Sequence, residues 1–260
     1  MVSDTVSERA LVTGATSGIG RAFAVALAER GHRLVLVARD ERRLQHTMEA
    51  LPGGPHEMLA ADLATHRGYE DVAHRIESDD DAIGLLVNAA GMGTSGAFPD
   101  VDLAAEEAQL ELNVTACLRL SWTAARAMRG RGHGAIINIA STAAIWSVGT
   151  YAASKAWVIA ATQGLADSMA GGPVRVLCVI PGFTRTEFHL RSGVDNSGVR
   201  SWLWLAPETV ASEALQALCE GRVTCVPGRQ YRILLPIVSL LPPGARRALL
   251  RRLAPLRPAA

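Results

Sequence analysis

Leu34-Val35-Leu36-Val37 is four aliphatic residues with nothing polar between them, and the chain repeats the device. Arg9–Thr13, Arg33–Ala38, Met58–Ala61, Gly84–Asn88, Ala135–Ala140, Val174–Ile180 and Val223–Val226 read as short strands, several nearly continuous in Val, Ile and Leu. A strand with one wet face alternates apolar and polar residues; a continuous run needs cover on both faces. Between these runs, Ile19–Arg30, Glu41–Leu51, Gly68–Ser78, Glu106–Arg129, Tyr151–Ala170 and Glu208–Glu220 carry helical periodicity. Pro207 opens the last of them at a position where a missing N–H costs little, and Gly31 follows the first as a C-cap. Strands alternating with helices over short links predict an α/β fold, a doubly wound parallel sheet of about seven strands with helices on both faces.

A chain of 260 residues buries enough surface to stand without a disulfide or metal staple. Its 26 basic and 25 acidic residues leave a formal charge of +1, which argues against a dedicated nucleic-acid binder. Cys117, Cys178, Cys219 and Cys225 form no zinc spacing, so no metal site is expected. Free, reduced thiols suit the cytosol, so a cytoplasmic location is expected. Met1 to Arg9 lacks the apolar core of a signal peptide. No apolar stretch of ~20 residues exists to span a bilayer. The cations are unequal: 25 are Arg and one is Lys, Lys155, four residues after Tyr151.

Thr13-Gly14-Ala15-Thr16-Ser17-Gly18-Ile19-Gly20 ends the first strand and opens the first helix. Glycines there permit a tight turn and let backbone approach a pyrophosphate, which rests on the helix N-terminal N–H groups. This segment resembles T-G-x-x-x-G-x-G, the cofactor signature of the classical short-chain dehydrogenase/reductase family. Other landmarks follow in the family's order over about residues 9 to 228, so the resemblance implies a Rossmann-type catalytic domain over residues 1–228. Residues 229–260 are then a basic, Pro-interrupted extension of the same domain. By this resemblance Gly14, Thr16, Ser17, Gly18, Ile19 and Gly20 hold the cofactor. Asp62-Leu63 resembles the pair that contacts adenine. Asn88-Ala89-Ala90-Gly91 resembles N-N-A-G after the fourth strand, with Ala in place of the second Asn. Pro181-Gly182, with Thr184 and Thr186, resembles the segment that meets the nicotinamide ring and amide.

The second strand ends Val37-Ala38-Arg39-Asp40. In a dinucleotide site an acid at that point takes the ribose 2′-OH of NAD, and an Arg pairs with the 2′-phosphate of NADP. Arg39 can fork onto a phosphate, and Asp40 is expected to cap the helix that begins at Glu41, so NADP(H) is preferred. The opposite assignment, a solvated Arg39 with Asp40 selecting NAD(H), stays open.

The resemblance also implies a catalytic set: Asn113, Ser141, Tyr151 and Lys155. Tyr151 and Lys155 stand four apart on a helix and share a face. A Tyr of pKa ~10 exchanges protons poorly at neutral pH, and a nearby ammonium should lower that value. Tyr151 is thus expected as general acid in carbonyl reduction and general base in alcohol oxidation, with Lys155 holding the nicotinamide ribose. Ser141 would stabilise the substrate oxygen, and Asn113 would hold a water that links Lys155 to bulk. Ser141 and Tyr151 are only ten residues apart, and a shortened loop at Thr142–Thr150 could open the pocket or misplace Ser141. Thr142 and Ser147 are conceivable substitutes.

The segment Glu187–Leu205 holds Phe188, His189, Trp202, Leu203 and Trp204, which suggests an apolar lid over a hydrophobic ketone, aldehyde or acyl substrate. Trp202 and Trp204 packed on the core or on a second subunit is the competing reading. From Gly221 to Ala260 there are eight Arg and no acid, so the first 220 residues carry −7. The stretch Ala245–Leu253 reads as a helix with Ala245, Ala248, Leu249 and Leu253 on one face. It packs on the domain by that face, touches anionic lipid as a peripheral membrane contact, or meets a partner. The resemblance implies a homodimer or homotetramer. Two functions remain: an NADP(H)-dependent carbonyl reductase, or a non-catalytic cofactor sensor or scaffold acting through the tail.

Overall fold

The computed structural model describes residues 9–94, 98, 100–146, 149–254 and 257–258. Ser147, one of the two conceivable substitutes for Ser141, lies outside them.

In chain order the elements are β1 (Arg9–Thr13), α1 (Gly18–Ala28), β2 (Leu34–Ala38), α2 (Glu41–Glu49), β3 (Glu57–Ala60), α3 (His66–Glu77) and β4 (Ile83–Asn88). Then come α4 (Leu103–Leu110), a π-helical turn at Glu111–Ala116, α5 (Cys117–Arg131), β5 (Gly134–Ile139), the short α6 (Ala143–Trp146), α7 (Thr150–Ser168) and β6 (Val174–Val179). The chain continues through α8 (Phe188–Arg191), β7 (Val194–Asp195), a 3₁₀ turn at Ser201–Leu203, α9 (Pro207–Cys219) and β8 (Thr224–Cys225). It finishes with α10 (Arg229–Ser239), α11 (Pro243–Leu253) and β9 (Arg257–Pro258).

Seven strands form one parallel sheet in the order β3-β2-β1-β4-β5-β6-β8. The continuous apolar runs are explained by their two faces. Ala10, Val12, Leu34 and Leu36 join one core with Phe23, Leu27, Val210 and Leu215 of α1 and α9. Leu11, Val35, Val37 and Leu86 join the other with Val72, Ile76, Leu120 and Met128 of α3 and α5. The strand order reverses between β1 and β4, and the crevice at the carboxyl ends of such strands is where ligands bind in open α/β sheets.

Two expectations change. The helix read over Glu106–Arg129 is a longer rod, Leu103–Arg131, with the π turn in its middle. One extra residue per turn swings Asn113 off the regular helical face and into the interior, where it is 1 % exposed. Second, the Pro-interrupted apolar run Ile233–Leu241 is helical as far as Ser239, and α10 contains Pro236. Pro236 and Arg232, four residues earlier, are both exposed, so the carbonyl that the ring leaves without a partner lies on the wet side. Tyr231, Leu235, Val238 and Ala254 belong to the main core, so residues 229–254 share the hydrophobic interior of the sheet.

Candidate active site

At the crevice, Gly14 (φ 67°) passes so close to the end of β4 that a β-carbon on it would lie 3.0 Å from Ala90 Cα. A β-carbon on Gly20 would stand 2.3 Å from the Gly14 carbonyl oxygen, and one on Gly18 (φ 51°) 2.9 Å from Thr186 Cγ2. Thr13 secures the turn from below: its hydroxyl accepts the N–H groups of Ala89 and Ala90, each at 3.0 Å. Ser17 at the N-cap makes no side-chain bond to the first turn of α1, and no acid stands in that turn. The positive end of α1 therefore faces the crevice, ready for an anion.

The crevice is a cleft of about 660 Å³. Lining it are the glycine turn with Thr16, Ser17 and Ile19, and then Arg39, Asp62, Leu63, Ala89 and Gly91. Ser141, Tyr151, Lys155, Pro181, Gly182, Thr184 and Thr186 complete the wall. Asp40 caps α2 by accepting the Arg43 N–H at 3.1 Å. Asp62 turns one oxygen to the Ala64 N–H at 3.0 Å.

Asn88 departs from expectation. It does not line the cleft; its amide donates to Asn138 Oδ1 (2.9 Å) and Ser121 Oγ (3.2 Å) in the interior, and Asn138 donates on to Thr162 Oγ1 (3.1 Å). Asn113 also lies behind the cleft. It donates to the Met92 carbonyl (2.8 Å) and Ser154 Oγ (3.2 Å) and accepts the Met92 N–H (3.0 Å), pinning the loop after β4. Between Asn88, Asn113, Cys117 and Lys155 is a cavity of about 10 Å³, close to the size of one water centre.

Tyr151 and Ser141 meet: despite the short spacing, both line the cleft, and the Ser141 side chain stands near enough to the phenol to influence its titration. The Ser141 hydroxyl also accepts the Ala143 N–H at 3.1 Å, which fixes its position. Thr142 is buried, and its N–H donates to the Pro181 carbonyl at 2.9 Å. Burial pushes the Tyr151 phenol up to about 12, and the neighbouring Ser141 hydroxyl acts against that rise. The expected lowering by Lys155 is not what governs Tyr151 here. The Lys155 ammonium lies 6.0 Å from the ring centroid and donates to the Ile139 carbonyl at 3.0 Å. Burial lowers the pKa of Lys155 itself. Cys117 and Cys178, neighbours of Lys155, are pushed up to about 11 and 12 by burial and stay neutral thiols.

Above Tyr151 the lid segment supplies an aromatic wall. The Phe188 ring is 5.3 Å from that of Tyr151, and His189 meets Phe188 edge-on at 5.6 Å. Phe183, Phe188 and His189 line the cleft; Trp202 and Trp204 do not. Trp204 packs behind, 5.8 Å from Phe183 and 5.4 Å from His189, whereas Trp202 is about half exposed. Burial lowers the pKa of His189.

Sequence reasoning missed an ionic clasp across the outer cleft. Arg43 donates to both Glu187 oxygens (3.2 Å each) and to the Thr16 carbonyl (3.2 Å). Arg191 binds Glu187 from the other side and donates to Ser17 Oγ at 3.3 Å. Burial raises the Glu187 carboxyl, but Arg43 and Arg191 outweigh it and hold the group below the ordinary range. Arg43 stands in the first turn of α2, and with Arg39, which precedes the cap, it lines the cleft.

A family model described as short chain dehydrogenase matches residues 8–195, and the chain belongs to that family of nicotinamide-dependent oxidoreductases. It is 34 % identical over 215 residues to an uncharacterised oxidoreductase of Staphylococcus saprophyticus, spanning 80 % of this chain and 90 % of the relative. It is 34 % identical over 185 residues to carbonyl reductase family member 4 of Danio rerio, spanning 70 % and 78 % of the two chains. Among solved structures, a short-chain dehydrogenase from Sphingobium yanoikuyae in complex with NADPH superposes with a TM-score of 0.80 at 32 % identity, covering 93 % of this chain and 94 % of the other.

Proposed function

We propose that the protein is an NADP(H)-dependent reductase of hydrophobic ketones or aldehydes, running in reverse as an alcohol dehydrogenase, with Tyr151 as the general acid/base. The observation that carries this reading is the convergence of Tyr151, Ser141 and Lys155 on one wall of a cleft whose opposite end is a glycine-lined helix N-terminus. Bound nicotinamide supplies or accepts the hydride at C4.

The protein's part is position and proton. Ser141, held by the Ala143 N–H, donates to the oxygen that gains charge in reduction. Tyr151 gives its phenolic proton to that oxygen. Lys155 would hold the ribose hydroxyls of the cofactor, and a water in the small cavity it shares with Asn113 would link its ammonium to the bulk supply from which Tyr151 regains its proton. Asn113 thereby acts as a positioning residue, because its own amide is spent on Met92 and Ser154.

Arg39 and Arg43 at the outer cleft support NADP(H): the guanidinium pair matches a 2′-phosphate, while Asp40 is drawn off into a helix cap. The NADPH complex of the Sphingobium relative agrees with that choice. Phe183, Phe188 and the uncharged His189 give the substrate end an apolar, aromatic wall, which suits a bulky hydrophobic carbonyl. The meeting of Ser141 and Tyr151 on the cleft wall weighs against a non-catalytic sensor. A homo-oligomer is supported by the exposed Leu110, Leu118 and Trp122 of α4 and α5.

NADPH oxidation measured across aliphatic, aromatic and steroid-like ketones tests the reading, with Tyr151→Phe as control. Turnover that survives Tyr151→Phe refutes the assigned role, and faster turnover with NADH refutes the cofactor choice.

A further inference from the structure

Helix α10 presents an apolar ridge to the outside. Its inward face is Tyr231, Leu235 and Val238, all buried in the core. Ile233, Ile237 and Leu240 recur at i, i+4 and i+7 and are 57 %, 55 % and 86 % exposed. Pro236 between them is exposed as well. A surface helix ordinarily turns polar residues to water, so exposed aliphatic side chains over two successive turns call for a partner. The half-exposed Trp202 lies close by, since Gln230 at the start of α10 donates to its carbonyl at 3.2 Å.

The charge carried by α10 and α11 themselves has one sign, and the neighbouring Glu213 of α9 is taken up by Arg232. No acid occurs after Glu220, and Arg247 and Arg252 of α11 are exposed. Leu249 and Leu253 of the same helix pack toward the core, which anchors α11 against the domain. Ala245 and Ala248, assigned to that packing face from the sequence, are exposed.

We propose that α10 and α11 form a peripheral docking surface for an anionic lipid bilayer. The aliphatic ridge enters the headgroup boundary, and the arginines meet lipid phosphate and carboxylate. A second copy of the chain is a poorer occupant, because a twofold contact through these two helices, which carry no acid of their own, sets arginine against arginine. A docked peptide wants a groove, and these residues stand on a convex ridge apart from the cleft. No helix among the described residues is long and apolar enough to cross a membrane, so the contact is superficial. Docking also bears on the wall of the cleft: Arg246 of α11 donates to the Ile145 carbonyl of α6 at 3.4 Å, and Thr142 and Ala143 beside it line the cleft.

The test is co-sedimentation of the full-length protein with vesicles of phosphatidylcholine alone or mixed with phosphatidylserine. It needs no turnover, so it stands or falls apart from the catalytic reading. The wild type should sediment with the mixed vesicles and remain in solution with the neutral ones. Ile237→Glu/Leu240→Glu and, separately, Arg247→Glu/Arg252→Glu should each weaken sedimentation by at least about tenfold, at roughly fivefold per arginine removed. Thermal unfolding checks that the variants are folded, and Ile233→Ser reads the same loss by a milder change. A wild type that never sediments, or variants that sediment like it, overturns the proposal. So does a lower solution mass for Ile237→Glu/Leu240→Glu by light scattering, since that assigns the ridge to a second copy.

Discussion

Tyr231 leaves room for nothing larger than glycine at position 182: a β-carbon there would stand 1.8 Å from Cζ of the Tyr231 ring. The same hydroxyl donates to the Leu203 carbonyl at 2.6 Å and accepts the Phe183 N–H at 2.9 Å. One side chain of the C-terminal extension therefore supports both the Pro181-Gly182 turn of the cleft and the end of the lid segment.

Tyr231→Phe strands the buried Phe183 N–H and Leu203 carbonyl, and should lower stability by ~1–3 kcal/mol. Gly182→Ala forces the ring or the turn to move and should cost more. Truncation after residue 228 removes Tyr231, Leu235 and Val238 from the core and should leave little folded enzyme. Urea unfolding of the three variants checks the order.

Lys155→Arg should lower kcat by about 100-fold or more. Lys155 Nζ is buried and donates to the Ile139 carbonyl at 3.0 Å. A longer, planar guanidinium has to displace that buried contact and places its charge elsewhere. Arg→Lys changes on the outer surface, at Arg67 for example, should leave the rate intact. Steady-state kinetics of both variants with the same ketone decides the comparison.

The rates in the two directions should answer pH differently. With Tyr151 pushed up to about 12, the phenol stays protonated through the neutral range, so reduction should be flat with pH there. Alcohol oxidation needs the phenolate, so its rate should climb as pH rises. A reduction rate that falls between roughly pH 6 and 8 would count against Tyr151 as the proton donor at this pKa.

Arg39→Ala and Arg43→Ala should each raise the dissociation constant for NADPH by about 10- to 100-fold and leave that for NADH nearly unchanged. Glu187→Gln removes the anion that competes with phosphate for Arg43, and should tighten NADPH binding. Quenching of intrinsic fluorescence on titration with each nucleotide reads all three. Equal losses for both nucleotides would place the arginines on the pyrophosphate instead.

His189 links stability to acid. Burial lowers its pKa beneath the ordinary 6.5, so the unfolded chain takes up a proton before the native one does. The native state is fully favoured above that value and loses ground as pH falls from 6.5 through the lower folded value. His189→Gln should flatten the fall of the thermal midpoint over that window. An identical pH dependence in the variant would show that other groups carry it.

The sheet was legible in the sequence because each strand faces two cores, and Leu34 to Val37 announce that directly. The glycine turn, Ser141, Tyr151 and Lys155 were legible as spaced motifs. The clasp was not: Glu187 lies 144 residues from Arg43, and no periodicity joins them. Asn88 misled because a motif position does not tell which way an amide turns; its partners Ser121 and Asn138 come from other elements. Asn113 hid its role in a helical turn one residue wider than the pattern assumes.

The buried chain of Asn88, Ser121, Asn138 and Thr162 has a consequence for how the protein chooses its fold. β4 and β5 are apolar enough to slide against each other with small hydrophobic loss. Asn88 stands opposite Asn138 in the observed pairing. A shift of one residue turns these amides to opposite faces of the sheet and leaves both without partners in the interior. Four polar side chains thus act as a register key, admitting only the alignment that brings the ends of β4 and β5 level beneath the reacting groups.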